Sequence, residues 1–127
     1  MTTTFTITVA NPGSGNKYYV NSNLQAILNL VEGATYKFDQ SDNSNSGHPL
    51  RLSTTSDGSH NSGSAYTTGV TTAGTPGSSG AYTQIQVAVG APTLYYYCTN
   101  HSGMGGTATT DVAISGWNRG TWNQGAW

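Results

Sequence analysis

Three side chains that soft metal ions favour crowd into seven residues, Cys98-Thr99-Asn100-His101-Ser102-Gly103-Met104. A thiolate, an imidazole and a thioether in this C-x2-H-x2-M spacing suit copper better than calcium or magnesium, which take oxygen ligands. Gly103, Gly105 and Gly106 give the segment the backbone freedom to fold its side chains toward one point. Two imidazoles and a thiolate with a weak axial thioether make the blue-copper set, so one more histidine must come from elsewhere. His48 stands where a polar loop gives way to a strand (Gly47-His48-Pro49-Leu50-Arg51-Leu52), and His60 lies in the polar loop Asp57–Gly63. Rigid elements position ligands better than loops do. His48 is therefore the expected partner, and His60 an exposed loop histidine.

Other chemistries fit these residues less well. A single cysteine forms no intrachain disulfide, and by composition alone Cys98 reads as a small buried hydrophobe; His101, Met104 and His48 turn that reading toward a metal. Structural zinc sites use Cys and His but not Met. A Cys–His hydrolase would need a third residue to orient the base and would leave Met104 without a role. No Gly-rich loop follows a strand and opens a helix, so nucleotide binding has no support. Asn100-His101-Ser102 spells a glycosylation sequon, a short pattern with many false positives that here overlaps the proposed ligand.

The elements that must hold these residues read as short strands. Phe5, Ile7 and Val9 alternate with Thr, and Tyr36 and Phe38 alternate within Ala34–Asp39, the period of a half-buried strand. Lys17–Val20 is a short second strand after the turn at Asn11-Pro12-Gly13; Leu24–Val31 is ambiguous between strand and helical turns. Ala81–Val89 predicts a strand with Ile85, Val87 and Val89 on one face, Leu94–Cys98 another, and Thr109–Ile114 a last one with Val112 and Ile114 facing alike. Residues 53–80 are dominated by Ser, Thr and Gly, with Tyr66 and Val70 as the expected anchors; so long a stretch without its own structure is unusual inside a compact domain. In Leu94–Cys98 alternation turns Leu94 and Tyr96 inward with Cys98 and leaves Tyr95 and Tyr97 outward. The predicted fold is all-β, a Greek-key sandwich or barrel of seven or eight strands.

Residues Tyr95–Met104 resemble the copper-ligand strand and loop of cupredoxins, the type 1 blue-copper proteins, with a His-to-Met spacing similar to amicyanin and pseudoazurin. Gly47-His48, roughly fifty residues upstream, matches the place of their first histidine, and Leu30-Val31-Glu32-Gly33 with Tyr36-Lys37-Phe38 resembles the strands leading to it. The likeness covers residues 24–114, most specifically 94–106. It implies His48, Cys98 and His101 as strong ligands of one copper ion, Met104 as the long axial ligand, and the Gly47 carbonyl as a weak axial contact. It also implies a route for electrons from Cys98 through the adjoining Tyr97 to the surface. Two positions depart from the family: Pro49 follows the first His where many members have Asn, and Asn100 stands where many have Pro. The same stretches also resemble cupredoxin-like domains in structural proteins of marine bacteriophages.

The expected function is that of a one-electron carrier cycling Cu(I) and Cu(II), not an enzyme, with a redox partner docking near His101. The alternative is a structural or adhesive virion module in which copper stabilises the fold without turnover. Only 7% of residues are charged and the net charge is −1, which excludes protein-wide attraction to nucleic acid or anionic membranes. No apolar run is long enough to span a bilayer. The start Met-Thr-Thr-Thr-Phe lacks the basic and apolar regions of a secretory signal, which leaves the location unassigned, with a virion or the host cytoplasm both open. Residues 1–115 form the expected copper domain. Residues 116–127, where Trp117, Trp122 and Trp127 recur every five residues, read as a linker or as a docking segment for virion proteins.

Overall fold

The computed structural model describes residues 2–113. Its strands are β1 (Thr2–Ala10), β2 (Lys17–Val20), β3 (Asn23–Leu24), β4 (Leu28–Val31), β5 (Thr35–Asp39), β6 (Leu50–Ser53), β7 (Val70–Ala73), β8 (Tyr82–Gln86), β9 (Leu94–Cys98) and β10 (His101–Asp111). Six of them form one sheet in the order β3-β2-β1-β5-β8-β7, and four form a second in the order β4-β10-β9-β6. The chain crosses between the sheets at β3–β4, β4–β5, β5–β6, β6–β7 and β8–β9, as a sandwich requires. The β1–β5 and β4–β10 pairs are parallel, and the remaining pairs are antiparallel.

The alternating residues meet between the sheets. Ile7, Tyr18, Val20, Leu30, Phe38, Leu50, Leu52, Ile85, Leu94, Tyr96, Cys98, Met104 and Ala108 are all buried in one cluster. Phe5 and Val9 pack on its margin, as do Tyr66 and Val70, the expected anchors of the long polar stretch. Removing a side chain the size of Leu50 from such a core costs about 2–5 kcal/mol. Of the metal-ligand candidates, Cys98 and Met104 belong to this core.

Several expectations need correction. There are ten strands among the described residues, because Leu24–Val31 splits into β3 and β4 and the polar stretch supplies β7. That stretch also folds into a 3-10 turn, Gly58–Asn61. β8 stops at Gln86, and Val89 beyond it is 84% exposed rather than inward. Its apolar character misled the pattern, whereas the turn at Gly90 (φ +76°) decides the local path. Val112 follows the end of β10 and is exposed. Ile114 and the tail 116–127 with its three Trp residues lie outside the described residues.

Candidate metal centre

Strand geometry accounts for the spacing of the ligands. β9 and β10 form a hairpin whose two-residue turn, Thr99-Asn100, sets Cys98 directly opposite His101. Side chains of directly opposed residues project from the same face, which is why the C-x2-H spacing brings them together. Beyond His101 the ladder slips. Residues 102–105 form a bulge and pairing resumes at Gly106↔Tyr96. Gly103 adopts φ +74° within this bulge. A side chain on Gly105 would collide with the Tyr96 carbonyl, so only glycine lets the returning strand approach so closely. On the other side, β6 pairs Leu50 with Cys98. His48, two residues earlier, faces the same way.

The result is a cluster of His48, Cys98 and His101 whose ligand atoms all lie within 4.8 Å of one another. Cys98 Sγ is 3.7 Å from His48 Nδ1 and 3.6 Å from His101 Nδ1. A thiol has one proton and can donate it to only one of these nitrogens. A shared cation satisfies both contacts: metal–sulfur and metal–nitrogen bonds of about 2.3 and 2.0 Å hold S and N about 3.5–3.7 Å apart at tetrahedral to trigonal angles. The imidazole rings are 4.7 Å apart between centroids. Cys98 is fully buried, His48 nearly so, and His101 is exposed. Burial, followed by the neighbouring His101, holds the His48 pKa below its ordinary value, which favours the neutral imidazole that a metal ion needs.

Met104 is buried in the same core cluster as Cys98, on the first stretch of β10. The Gly47 carbonyl accepts a hydrogen bond from Asn100 Nδ2 at 3.0 Å. Asn100, one of the two departures from the family pattern, thus ties the ligand hairpin to the loop that carries His48. The Thr99 amide adds a second tie to the Pro49 carbonyl at 3.1 Å. His60 stands outside the three-ligand cluster, on the exposed 3-10 turn, but its Nε2 lies 2.7 Å from the Cys98 carbonyl. Tyr97 points away from the Cys98 side chain, yet it is only 2% exposed. The polar loop covers it, with Gly58 lying against its ring. The expected Tyr97 path to the surface is corrected accordingly.

The braces around His48 were not legible beforehand. Pro49 has no amide hydrogen, and Gln40, fully buried at the end of β5, compensates. Its Nε2 donates to the His48 carbonyl at 2.7 Å and to Asn45 Oδ1 at 3.0 Å, and its Oε1 accepts from the Leu50 amide at 3.0 Å. The Tyr18 hydroxyl donates to the same His48 carbonyl at 2.6 Å. Burial, with Cys98 beside it, pushes the Tyr18 pKa upward, so the phenol keeps its proton. Asn45 closes the 3-10 turn Asn43–Asn45. It accepts the His48 amide on its own carbonyl at 2.8 Å and donates from Nδ2 to Ile7 O at 2.7 Å. The bulge is pinned in the same manner. Lys17 Nζ and Gln25 Nε2 donate to the Gly103 carbonyl at 2.9 and 3.1 Å, and Asp57 Oδ1 accepts its amide at 2.9 Å. Gln40 and Asn45 lie within eight residues of His48, whereas Tyr18 and the partners of Gly103 are distant in sequence, and the available signal was that polar residues such as Gln40 and Tyr18 stand on core-facing positions.

The architecture has known counterparts. Reduced rusticyanin aligns over 87% of this chain and 79% of its own, with a TM-score of 0.50 and 19% identity. Rusticyanin from Thiobacillus ferrooxidans aligns over 87% and 77%, with a TM-score of 0.51 and 16% identity. A further structure, described as the copper protein rusticyanin, aligns over 87% and 78% at a TM-score of 0.51 and 16% identity.

The fold is the cupredoxin fold.

No protein-family model and no curated protein matches the chain, and the rusticyanin structures do not bear on the likeness to phage domains. Within the cupredoxin fold, the His48, Cys98 and His101 grouping fits a single copper ion. Among the described residues no helix is long and apolar enough to cross a membrane.

Proposed function

We propose that this chain holds one copper ion between His48, Cys98 and His101, with Met104 as a weak axial ligand, and serves as a one-electron carrier rather than an enzyme. The observation that carries the reading is the convergence of two imidazole Nδ1 atoms on one buried thiol, at 3.6 and 3.7 Å, in a cupredoxin fold. When bound, copper would supply a centre that accepts and returns single electrons, held by His48, Cys98 and His101. The protein's part is to keep the ligands still. Gln40, Tyr18 and Asn45 fix His48, while Lys17, Gln25 and Asp57 fix the bulge.

Of the three clustered ligands only His101 is exposed, so it is the expected point of contact with a redox partner protein. The segment carrying exposed Leu24 and Ile27 borders the ligand bulge through Gln25. With so few charges on the chain, docking there rests on apolar contact rather than long-range steering. Nothing in the comparisons supports the virion-module alternative.

Titration with Cu(II), followed by visible absorption and electron spin resonance, tests the proposal. The expected result is one equivalent bound with an intense thiolate-to-copper band that Cys98→Ser abolishes. A colourless product, or colour that survives Cys98→Ser, refutes it. Reversible exchange at an electrode tests the carrier role separately from binding.

A further inference from the structure

The 3-10 turn Gly58–Asn61 is fastened to the metal centre on three sides although it contributes none of the clustered ligands. Gly58 lies against the Tyr97 ring so closely that a Cβ there would sit 2.5 Å from its Cε1. Asp57 accepts the Gly103 amide of the ligand bulge while held at φ +63°, a left-handed conformation that is costly for a residue with a side chain. His60 reaches the Cys98 main chain. Its ring stands edge-on to Tyr97, with centroids 6.4 Å apart, and its Nε2 is 2.7 Å from the Cys98 carbonyl oxygen. A carbonyl only accepts, so Nε2 carries the proton and donates it. His60 itself is exposed. The turn is thus attached to the centre at three points.

The geometry points to His60 as a second electron port. Through it the thiolate of Cys98 is coupled to the surface along Sγ–Cβ–Cα–C=O and the hydrogen bond to the His60 ring, without passing through His101. This rests on the copper-carrier reading above. It assigns to His60 the surface role that the covered Tyr97 cannot fill, and it makes the 58–61 turn a contact face for a one-electron donor or acceptor. Because this surface carries Ser59, His60 and Asn61 rather than exposed apolar side chains, a partner here would be recognised by hydrogen bonding.

A photochemical experiment on the copper-loaded chain tests this. Ser59→Cys, exposed beside His60, takes a thiol-reactive ruthenium polypyridyl label. A flash moves one electron from excited Ru(II) to Cu(II), leaving Ru(III) and Cu(I), and the electron then returns from Cu(I) to Ru(III). The thiolate-to-copper band follows both steps. A control label on Val89→Cys occupies the turn beside the far end of β10, where Thr110 Oγ1 binds the Ala91 carbonyl. Replacing His60 by Phe, which keeps a ring against Tyr97 but no donor, is expected to slow the return about tenfold at the first label and to leave the second unchanged. An unchanged rate at the Ser59 label overturns the port. Equal slowing at both labels also overturns it, since His60 would then act only by positioning Cys98. In the copper-free protein, nitrogen NMR should find the His60 proton on Nε2, and finding it on Nδ1 overturns the proposal without any copper chemistry. Failure of the unlabelled wild-type chain to colour with Cu(II) sinks the copper reading and the port together. Colour with no His60 dependence sinks the port alone.

Discussion

Replacing Gln40 by Leu isolates the bracing of His48 from the ligands themselves. The side chains are similar in size, so the core stays filled, but three hydrogen bonds are lost: to the His48 carbonyl, to Asn45 Oδ1 and from the Leu50 amide. The His48 carbonyl keeps Tyr18 at 2.6 Å and is not stranded. The Leu50 amide and Asn45 Oδ1 lose the partner that Gln40 gave them, in a region where Leu50 and Asn45 are fully buried. Each such buried group costs about 1–3 kcal/mol when unpaired. Replacing the amide with an apolar side chain returns some of that, because Gln40 no longer has to be desolvated. A net loss of about 2–4 kcal/mol follows, enough to lower the melting temperature by roughly ten degrees in a chain of this size.

Urea unfolding of the copper-free protein reads this cost directly. Competition with a copper chelator reads the second consequence, a fall in copper affinity of about 10–100-fold, the range seen when groups that orient metal ligands are removed. Stability within about 0.5 kcal/mol of wild type, together with unchanged copper affinity, would show that Gln40 is filler and that the bracing argument is wrong. Loss of stability with no loss of affinity would confine its role to the fold.

Gly105→Ala should destabilise by at least about 3 kcal/mol, since the added methyl meets the main-chain carbonyl of Tyr96 and the hairpin must open to admit it; Gly80→Ala, with φ +83° but open space around it, should cost only about 1 kcal/mol, and equal urea midpoints for the two would refute the close-approach argument. The depressed His48 pKa predicts acid sensitivity of the copper-free protein: the unfolded chain takes up a proton as pH falls through the ordinary histidine value of about 6.5 while folded His48 stays neutral. Stability from this group is therefore complete above that value and declines below it, and unfolding curves at successive pH values should show the decline vanish in His48→Asn. Copper should raise stability by mass action, by about 4 kcal/mol when free ion exceeds its dissociation constant a thousandfold, and a chelator should remove that increment reversibly; identical melting with and without Cu(II) would count against a site formed only in the folded chain.

The parts of the site that depend on strand periodicity were legible in the sequence. Alternation placed Leu94, Tyr96 and Cys98 inward, but it left His101 on a loop with the last strand starting only at Thr109, whereas His101 opens β10 directly opposite Cys98. His48 was legible because it adjoins a strand. What periodicity does not encode is which distant polar side chain satisfies which main-chain group. Gln40, Tyr18 and Asn45 meet His48 only after β2, β5 and the 43–45 turn are assembled, so no window of sequence contains the arrangement. The same limit explains Tyr97. Its outward direction followed from alternation, but its cover comes from the Ser/Thr/Gly stretch, whose low apolar content hides a turn fastened by Gly58 and Asp57. Val89 failed in the opposite sense, because an apolar residue past a strand end was assigned to the face that the strand would have had.

The distribution of burial and bracing bears on whether a metal here would be structural or exchange electrons. A metal that only fastens a fold is best enclosed on all sides. In this centre Cys98 and His48 are buried and braced, whereas His101 keeps its ring at the surface. Main-chain carbonyls and amides near the ligands are already taken by Gln40, Tyr18, Asn45, Asn100, Lys17 and Asp57. These braces bind the protein's own backbone and depend neither on the charge of a bound ion nor on its preferred geometry. Ligands fixed in that way would move little on a one-electron change of a bound copper ion, and the exposed imidazole would be the short way out that the proposed carrier role needs. Rigid support with one open edge suits the proposed carrier role, whereas a metal that only fastened the fold would be better served by full enclosure.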